Sequence, residues 1–259
     1  MVSLLRPENA LSNYGFVNFG WFLVAVYGDE QWIKGSDLIP FGSGVADAFL
    51  FDCLASKELI DEEGKVTNAF AQLKIGEFLL SGQVRLRPVE QACRELSGYI
   101  KGERTRFEVP LDPTRGTEFQ QKVWRALRQI PYGQVQSYEE VANRVLYYSE
   151  LDQGADDESA ATEWEQSVAA AIASGTREPE DQSDAADAAN DNVSAAHLYA
   201  RAVGAACGAN PFLLFVPCHR VLSKDGKLTG FSSGIENKGH LLDFEIMGAQ
   251  PDCNIHRDQ

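Results

Sequence analysis

A cysteine followed directly by a histidine is the pair of side chains in this chain best suited to nucleophilic chemistry. Cys218 and His219 come after an apolar run at residues 212–216. A thiol attacks as its thiolate, and a free cysteine is mostly protonated at neutral pH, so it needs a neighbouring base or positive field. His219 is a candidate for that base. The pair alone is weak evidence, because most buried cysteines are small inert apolar residues.

The other cysteines favour a reducing compartment over a disulfide framework or a zinc site. The chain has five cysteines, an odd number, and no two of them form a C-x-x-C pair. Disulfide scaffolds use even numbers, and thiolate zinc sites use closely spaced pairs. We therefore expect reduced thiols throughout. The cysteines are Cys53, Cys93, Cys207, Cys218 and Cys253.

Length and hydropathy predict an intracellular, cytoplasmic protein. The chain has 259 residues, enough for one large or two modest domains. It contains no apolar run of the length that spans a membrane, which requires about 18 residues or more. The first 25 residues lack the basic start, apolar stretch and cleavage site of a secretory signal.

The negative charge of the chain is concentrated in one segment. Leu146 to Ala196 carry thirteen acids and one base, Arg177, a net charge of −12 that leaves only −3 of the total −15 for the remainder. A uniformly acidic protein would disfavour nucleic acid as a partner, but this distribution removes that objection. The composition predicts an acidic insertion at residues 147–194, with disorder at 174–193.

Apolar periodicity and turn residues predict strands and helices in the first half of the chain. Residues 1–18 are expected to be a loose lead-in. The helix that follows Pro88 has this residue in its first turn, where proline is favoured. The predicted elements are a strand at 20–27 with a possible hairpin partner at 31–33, helices at 45–55 and 89–100, and a short strand at 107–109.

Two capping patterns predict where helices begin in the second half. Thr117 is followed by Gln120, and Ser137 by Glu140, the spacing of a capping box. A helix of small residues is predicted from Ala195 to Gly208. The remaining predictions are a strand at 212–216 that leads into Cys218, a hairpin with arms at 220–224 and 227–231, and a last helix at 236–247.

A series of motifs on both sides of the acidic segment resembles the O6-alkylguanine-DNA alkyltransferases. The resemblance is strong over residues 110–145 and 195–246 and weak over 1–109. In chain order, the motifs are Arg115-Gly-Thr-Glu-Phe-Gln-Gln-Lys-Val-Trp-Arg-Ala-Leu127, Ile130-Pro-Tyr-Gly133, Ser137-Tyr138, Ala200-Arg-Ala-Val-Gly204, Asn210-Pro211, Pro217-Cys-His-Arg-Val221, Leu228-Thr-Gly-Phe231 and Lys238-x-x-Leu-Leu-x-x-Glu245.

The resemblance implies an α/β (α+β) fold with two domains. Residues 1–109 would form a small sheet-and-helix, ribonuclease H-like supporting domain. Residues 110–248 would form a helical, winged helix-turn-helix-like domain that binds DNA and accepts the alkyl group. The acidic insertion at 147–194 would interrupt this second domain, and 249–259 would be a tail.

The resemblance also implies a single-use transfer of an alkyl group. Cys218 would attack a methyl or small alkyl carbon on guanine O6, or on thymine O4. His219 would take the thiol proton through a water, and Glu245 would orient that histidine, the logic of a triad. Tyr138 would donate a proton towards guanine N3. This chemistry requires no cofactor and no metal.

The implied partner is double-stranded DNA that contains an alkylated guanine, bound through the minor groove by a monomer. The alkyl group lies inside the duplex, so the nucleotide must be flipped out, and Arg201 would fill the gap. The implied DNA-binding residues are Arg201, Ala200, Ala202, Gly204, Ala205, Thr117, Gln120 and Ser137. The implied base-pocket and supporting residues are Asn210, Pro217, Arg220, Val221, Cys207, Phe231 and Ser232.

Three other functions compete with this interpretation. The chain could bind alkylguanine DNA or dock a partner with transfer impaired by the acidic insertion, or the insertion could mimic DNA while the chemistry is vestigial. The intact set of Cys218, His219, Glu245, Tyr138 and Arg201 weighs against both. An unrelated cysteine hydrolase is the third alternative, but it leaves the helices implied to bind DNA unexplained.

Overall fold

The computed structural model describes residues 13–40, 74–80, 86–152 and 195–247, which fall into two compact units. The first unit contains the described residues up to Asp112, the segment Pro211–Phe215 and the C-terminal helix from Glu236. The second contains the described parts of Pro113–Asn210 and Val216–Ile235. The chain thus passes between the two units four times.

An antiparallel sheet forms the centre of the first unit. Its strands are β1 (Asn13–Asn18), β2 (Phe22–Gly28), β3 (Ile33–Pro40) and β4 (Phe78–Leu80), in the spatial order β3-β2-β1-β4. The sequence of β2 is rich in β-branched and aromatic residues, which suit a buried strand. The strand predicted at residues 20–27 is therefore confirmed as β2.

The loose lead-in predicted for residues 1–18 is wrong, because Asn13–Asn18 form β1 between β2 and β4. Phe16 and Val17 are buried there. Gly15 and the asparagines at both ends of β1 are unfavourable in strands, so the sequence pattern does not predict this strand. It is identified by its pairing with β2 and β4. The hairpin partner predicted at 31–33 lies at the start of β3, which extends much further, to Pro40.

The helix predicted at 89–100 is confirmed as α1 (Arg87–Ile100), which packs on the sheet. Pro88 occupies its first turn, and Gly102 beyond its end adopts a positive φ of 73°. Gly15 of β1 permits the close approach of this helix. A Cβ atom at Gly15 would lie 2.1 Å from the Sγ atom of Cys93.

The short strand predicted at 107–109 is wrong, and the neighbouring residues bond to β3 instead. The amide of Ile33 donates to the carbonyl of Pro110 at 2.8 Å, and the amide of Asp112 donates to the carbonyl of Ile33 at 3.0 Å. This bridge involves Leu111, not the residues at 107–109 that suggested the strand. The last helix is confirmed as α5 (Ile235–Ile246).

Helices and one short strand pair build the second unit. Both capping boxes are confirmed: Thr117 and Gln120 begin α2, and Ser137 and Glu140 begin α3. The elements are α2 (Glu118–Leu127), β5 (Gln136–Ser137), α3 (Tyr138–Asp152), α4 (Ala195–Gly208), a 3₁₀ turn (Cys218–Arg220) and β6 (Val221–Leu222), with β5 and β6 parallel.

Two further strand predictions are wrong. Residues 212–216 make isolated bridges and turn at Leu214, whose φ is 73°. The run is apolar because it is buried, which a strand pattern cannot distinguish from other buried backbone. The turn at Gly226 is confirmed, with a φ of 77°. However, β6 pairs with β5, and the described residues 227–231 are not in a strand.

The helix predicted at 45–55, residues 153–194 of the acidic insertion and the tail at 249–259 lie outside the described residues, as do Cys53 and Cys253. Within the described parts, no helix combines the length and apolar character needed to cross a membrane.

Candidate active site around Cys218

The thiol of Cys218 is buried in the 3₁₀ turn and accepts a hydrogen bond from a buried amide. The Nδ2 atom of Asn210 donates to the Sγ atom of Cys218 at 3.2 Å and to the carbonyl of Val216 at 2.9 Å. A donor aimed at sulfur favours the thiolate over the thiol. Pro217 and His219 on either side of Cys218 are buried as well. Asn210 thus links the sulfur of Cys218 to the backbone of the preceding residues.

Arg220 anchors the same turn to the loop after α2. Its guanidinium donates to the carbonyl of Ile130 at 2.6 Å and lies 5.9 Å from the centre of the Tyr132 ring. Val221 follows, fully buried, and begins β6. The predicted supporting roles of Arg220 and Val221 are compatible with these positions, because both hold the backbone on which Cys218 lies.

Tyr138 is the first residue of α3, and its hydroxyl lies near two cysteine side chains. Burial raises the pKa of this phenol far above its ordinary value, and the neighbouring thiols of Cys207 and Cys218 raise it further. The hydroxyl of Thr229 donates to the phenol oxygen at 3.5 Å, a long contact with a small opposing effect. The Tyr138 hydroxyl therefore stays protonated at physiological pH.

The helix α4 packs one face inside the unit and exposes Arg201. Ala202, Val203 and Ala206 are buried, and the indole nitrogen of Trp124 donates to the carbonyl of Ala206 at 2.9 Å. Of the residues predicted to bind DNA, Ala202 thus lies inside the packing. Ala200, Gly204 and Ala205 are partly exposed, and Arg201 is exposed.

The Tyr138 ring lies beside small residues of α4. A Cβ atom at Gly204 would lie 3.8 Å from Cε1 of Tyr138, an ordinary contact distance. Cys207 is three residues further, on the same face of the helix. It is buried, consistent with the predicted place in a pocket wall. Gly204, Cys207 and Tyr138 thus form one surface next to Cys218.

The other residues predicted to touch DNA or the base lie in caps and an exposed loop. The side chains of Thr117 and Gln120 bond each other's backbone amides, and Ser137 bonds Glu140. Phe231 is half-buried and Ser232 is exposed. Ser232 lies between two glycines with positive φ, Gly230 and Gly234.

Glu245, the predicted orienting carboxylate, belongs to the first unit and is buried on α5. One of its oxygens accepts a short hydrogen bond from the phenol of Tyr99, at the end of α1. Sequence reasoning missed Tyr99. Its helical spacing with the other buried residues of α1 indicates packing and gives no sign of a polar partner on another helix.

A buried thiol with an amide donor, beside a protonated phenol and an exposed arginine, defines a thiol-dependent group-transfer protein of mixed α/β fold. The family 6-O-methylguanine DNA methyltransferase, DNA binding domain, matches residues 118–151 and 184–247. The methylated-DNA–protein-cysteine methyltransferase of Mycobacterium bovis is 37% identical over 164 residues, 63% of this chain and 69% of that protein.

Two further comparisons agree with this match. The inducible methylated-DNA–protein-cysteine methyltransferase of Bacillus subtilis is 35% identical, over 66% of this chain and 65% of that protein. The crystal structure of Mycobacterium tuberculosis OGT in complex with DNA aligns with a TM-score of 0.50 and 26% identity, over 92% of this chain and 94% of that one. The chain belongs to the methylated-DNA–protein-cysteine methyltransferase family.

Proposed function

We propose that this protein repairs DNA by direct damage reversal, through irreversible transfer of a methyl or small alkyl group from O6-alkylguanine to Cys218. The observation that carries the proposal is the Cys218 thiol, held by Asn210 and lying near the hydroxyl of Tyr138. The family membership and the DNA complex of the Mycobacterium tuberculosis relative support it.

The transfer is a displacement at the alkyl carbon. His219 accepts the thiol proton through a water, and Glu245 orients His219. The bond between sulfur and the alkyl carbon forms while the bond between that carbon and O6 breaks, and the electron pair of the broken bond stays on the purine. Tyr138 donates a proton to N3, so guanine leaves as a neutral base, and the proton held by His219 restores the phenol. The thioether is stable, so each molecule acts once.

DNA binding places the lesion in reach of the thiol. The exposed Arg201 on α4 enters the minor groove and fills the space that the flipped nucleotide leaves, which offsets part of its unstacking. Thr117, Gln120 and Ser137, at the starts of α2 and α3, contact phosphates without sequence preference. O4-alkylthymine is a second substrate.

We also propose a fold for each of the two domains and a cellular compartment for the protein. The N-terminal domain (1–109) is ribonuclease H-like and supports the site, whereas residues 110–248 form a winged helix-turn-helix-like domain interrupted by the acidic insertion at 147–194. The protein acts as a monomer in a reducing, intracellular compartment, because its nucleophile must remain a free thiol.

Lesion removal under single-turnover conditions tests the proposal. A duplex with one O6-methylguanine is incubated with protein and digested to nucleosides, and the remaining O6-methylguanine is measured. We expect the lesion to disappear at one equivalent of protein and to persist with Cys218→Ala. Cys93→Ala is the control, because it removes a buried thiol of the first unit and should retain repair. Persistence of the lesion at excess protein, or repair by Cys218→Ala, would overturn the proposal.

Binding without transfer is the weaker alternative. It predicts a lesion that is bound but unchanged, and the presence of Cys218 with its amide donor argues against it.

A further inference from the structure

The phenol of Tyr99 is hydrogen-bonded to a carboxylate that is distant in the sequence. Tyr99 lies on α1, and its hydroxyl donates to Oε1 of Glu245 on α5, a separation of 146 residues. Both side chains are buried, with 0% and 2% of their surface exposed. The bond lies wholly within the first unit. Because the bond joins two different helices, it is not part of a helix cap, a turn or the internal bonding of one helix.

Three aromatic rings pack near the ring of Tyr99. The ring of Tyr99 lies 5.2 Å from that of Phe107, 5.4 Å from that of Phe244 and 6.2 Å from that of Phe19, measured between ring centres. A carboxylate in apolar surroundings is costly unless donors compensate for the lost water. A donor to the charged form also favours that form. The phenol is thus a donor whose position the three rings fix.

A second charged side chain lies on the buried face of α5. Lys238 precedes Glu245 by seven residues, two helical turns, and is fully buried. Leu241 and Leu242 occupy the same face between them. Apolar residues would pack this face at lower cost, because removing charged groups from water is expensive even when they are paired. The polar ends of the face therefore point to a role for Glu245 beyond packing.

We propose that Tyr99 is a positioning residue for alkyl transfer, whose hydrogen bond fixes the carboxylate of Glu245 in orientation and in its charged form. The inference rests on the proposed function, in which Glu245 orients His219. Tyr99 touches neither DNA nor the transferred group in this account, and it acts only through Glu245. The N-terminal half of the chain thereby contributes a side chain to the catalytic relay, in addition to supporting the fold.

Tyr99→Phe removes the hydroxyl and retains the ring. We expect the single-turnover rate of methyl transfer to fall about 10-fold near neutral pH, the typical effect of one hydrogen bond to a charged group. The acid limb of the pH–rate profile should also move to higher pH, because loss of a donor favours the protonated carboxyl group. Affinity for DNA should stay unchanged.

Tyr14→Phe is the matched control, because it removes another buried phenol hydroxyl from the sheet of the same unit. We expect it to leave the pH–rate profile in place. A merely structural role of Tyr99 would lower the melting temperature without moving the acid limb, and that result would overturn the inference. So would an unchanged rate and profile in Tyr99→Phe.

A double-mutant cycle with Glu245→Gln shows whether Tyr99 acts through the carboxylate. If it does, Tyr99→Phe should have little further effect on the rate once Glu245 is a glutamine, whereas independent effects would multiply. Independent effects would overturn the inference.

The wild-type protein distinguishes a failure of this inference from a failure of the proposed function. If it transfers no methyl group, the proposed function fails. If it does while Tyr99→Phe retains the wild-type profile, only the role of Tyr99 fails.

Discussion

Two buried cysteines of this chain illustrate how local donors decide the chemistry of a thiol. Burial between α1 and the sheet, with a smaller effect of Glu90, raises the pKa of Cys93 to about 12, so its thiol stays protonated and inert. Cys218 is equally buried, but the amide of Asn210 donates to its sulfur. Burial alone would make both thiols unreactive, and the hydrogen bond distinguishes them.

At the residue scale, the sequence predicted the site where its motifs are contiguous. The run from Pro217 to Val221 and the Ser137-Tyr138 pair could be recognised because neighbours along the chain are also neighbours in the site. Tyr99 and its bond to Glu245 could not be predicted, because that contact joins two helices that lie far apart in the sequence. Asn210 was expected only as a supporting residue, and the bond from its amide to the sulfur of Cys218 could be identified only from the structure.

Tyr138→Phe should lower the single-turnover rate of methyl transfer about 100-fold, the usual contribution of a positioned general acid. Tyr132→Phe is the control, because it keeps the ring beside Arg220 and should retain most of the activity. Affinity for lesion-containing DNA, measured by fluorescence anisotropy, should be similar in all three proteins. A wild-type rate in Tyr138→Phe would show that the phenol is not the acid.

The raised pKa of Tyr138 gives this role a pH signature. Because burial keeps the phenol protonated, the wild-type rate should not fall as the pH rises towards 10, the ordinary pKa of tyrosine. An alkaline decline that disappears in Tyr138→Phe would contradict the account.

At the scale of elements, local signals were reliable and non-local ones were not. The capping boxes at Thr117 and Ser137 involve residues three apart and were confirmed. In contrast, β1 is identified only by its pairing with β2 and β4. Residues 212–216 have strand composition but turn at Leu214. These features depend on contacts across the fold, which no window of neighbouring residues contains.

The packing of α1 on β1 depends on the absence of a side chain at Gly15. Gly15→Ala should reduce the free energy of unfolding by about 1–3 kcal/mol, the cost of an overpacked core, because its Cβ atom would lie 2.1 Å from the Sγ atom of Cys93. Urea unfolding measures the change. Adding Cys93→Ala should restore part of the stability, because it removes the sulfur.

Gly98→Ala, on α1 itself, is the matched control. Its Cβ atom would meet the ends of two flexible side chains at ordinary contact distances, Arg104 at 3.4 Å and Glu103 at 3.7 Å. The change should stabilise α1 by about 0.5–1 kcal/mol, since alanine favours a helix over glycine. If Gly15→Ala were as stable as the wild type, or Cys93→Ala gave no recovery, the packing described for α1 would be wrong.

At the scale of the whole molecule, the acidic charge is the feature least expected of a DNA-repair protein. Between residues 153 and 194 the sequence has eleven acids and one base. Charge of this sign opposes binding to DNA phosphates wherever it lies within reach, and salt weakens the effect, since the screening length is about 10 Å at 0.1 M. The charge of this segment can be counted from the sequence, but the distance between the segment and bound DNA cannot be predicted from it.

Replacing these eleven carboxylates with their amides should raise the affinity for duplex DNA several-fold at low salt, with the difference disappearing as salt increases. Fluorescence anisotropy over a salt series measures it. A variant with the same residues in shuffled order retains the charge and should bind like the wild type. Equal affinities of the neutralised and wild-type proteins at every salt concentration would show that the acidic segment does not act on DNA.

The mass of the protein after reaction tests whether Cys218 accepts the alkyl group. The protein is incubated with excess duplex that contains O6-methylguanine, and both the intact protein and its peptides are weighed. We expect one added methyl group per chain, on the peptide that contains Cys218, with Cys93 and Cys207 unmodified. No added mass, or a methyl group on any other residue, would contradict it.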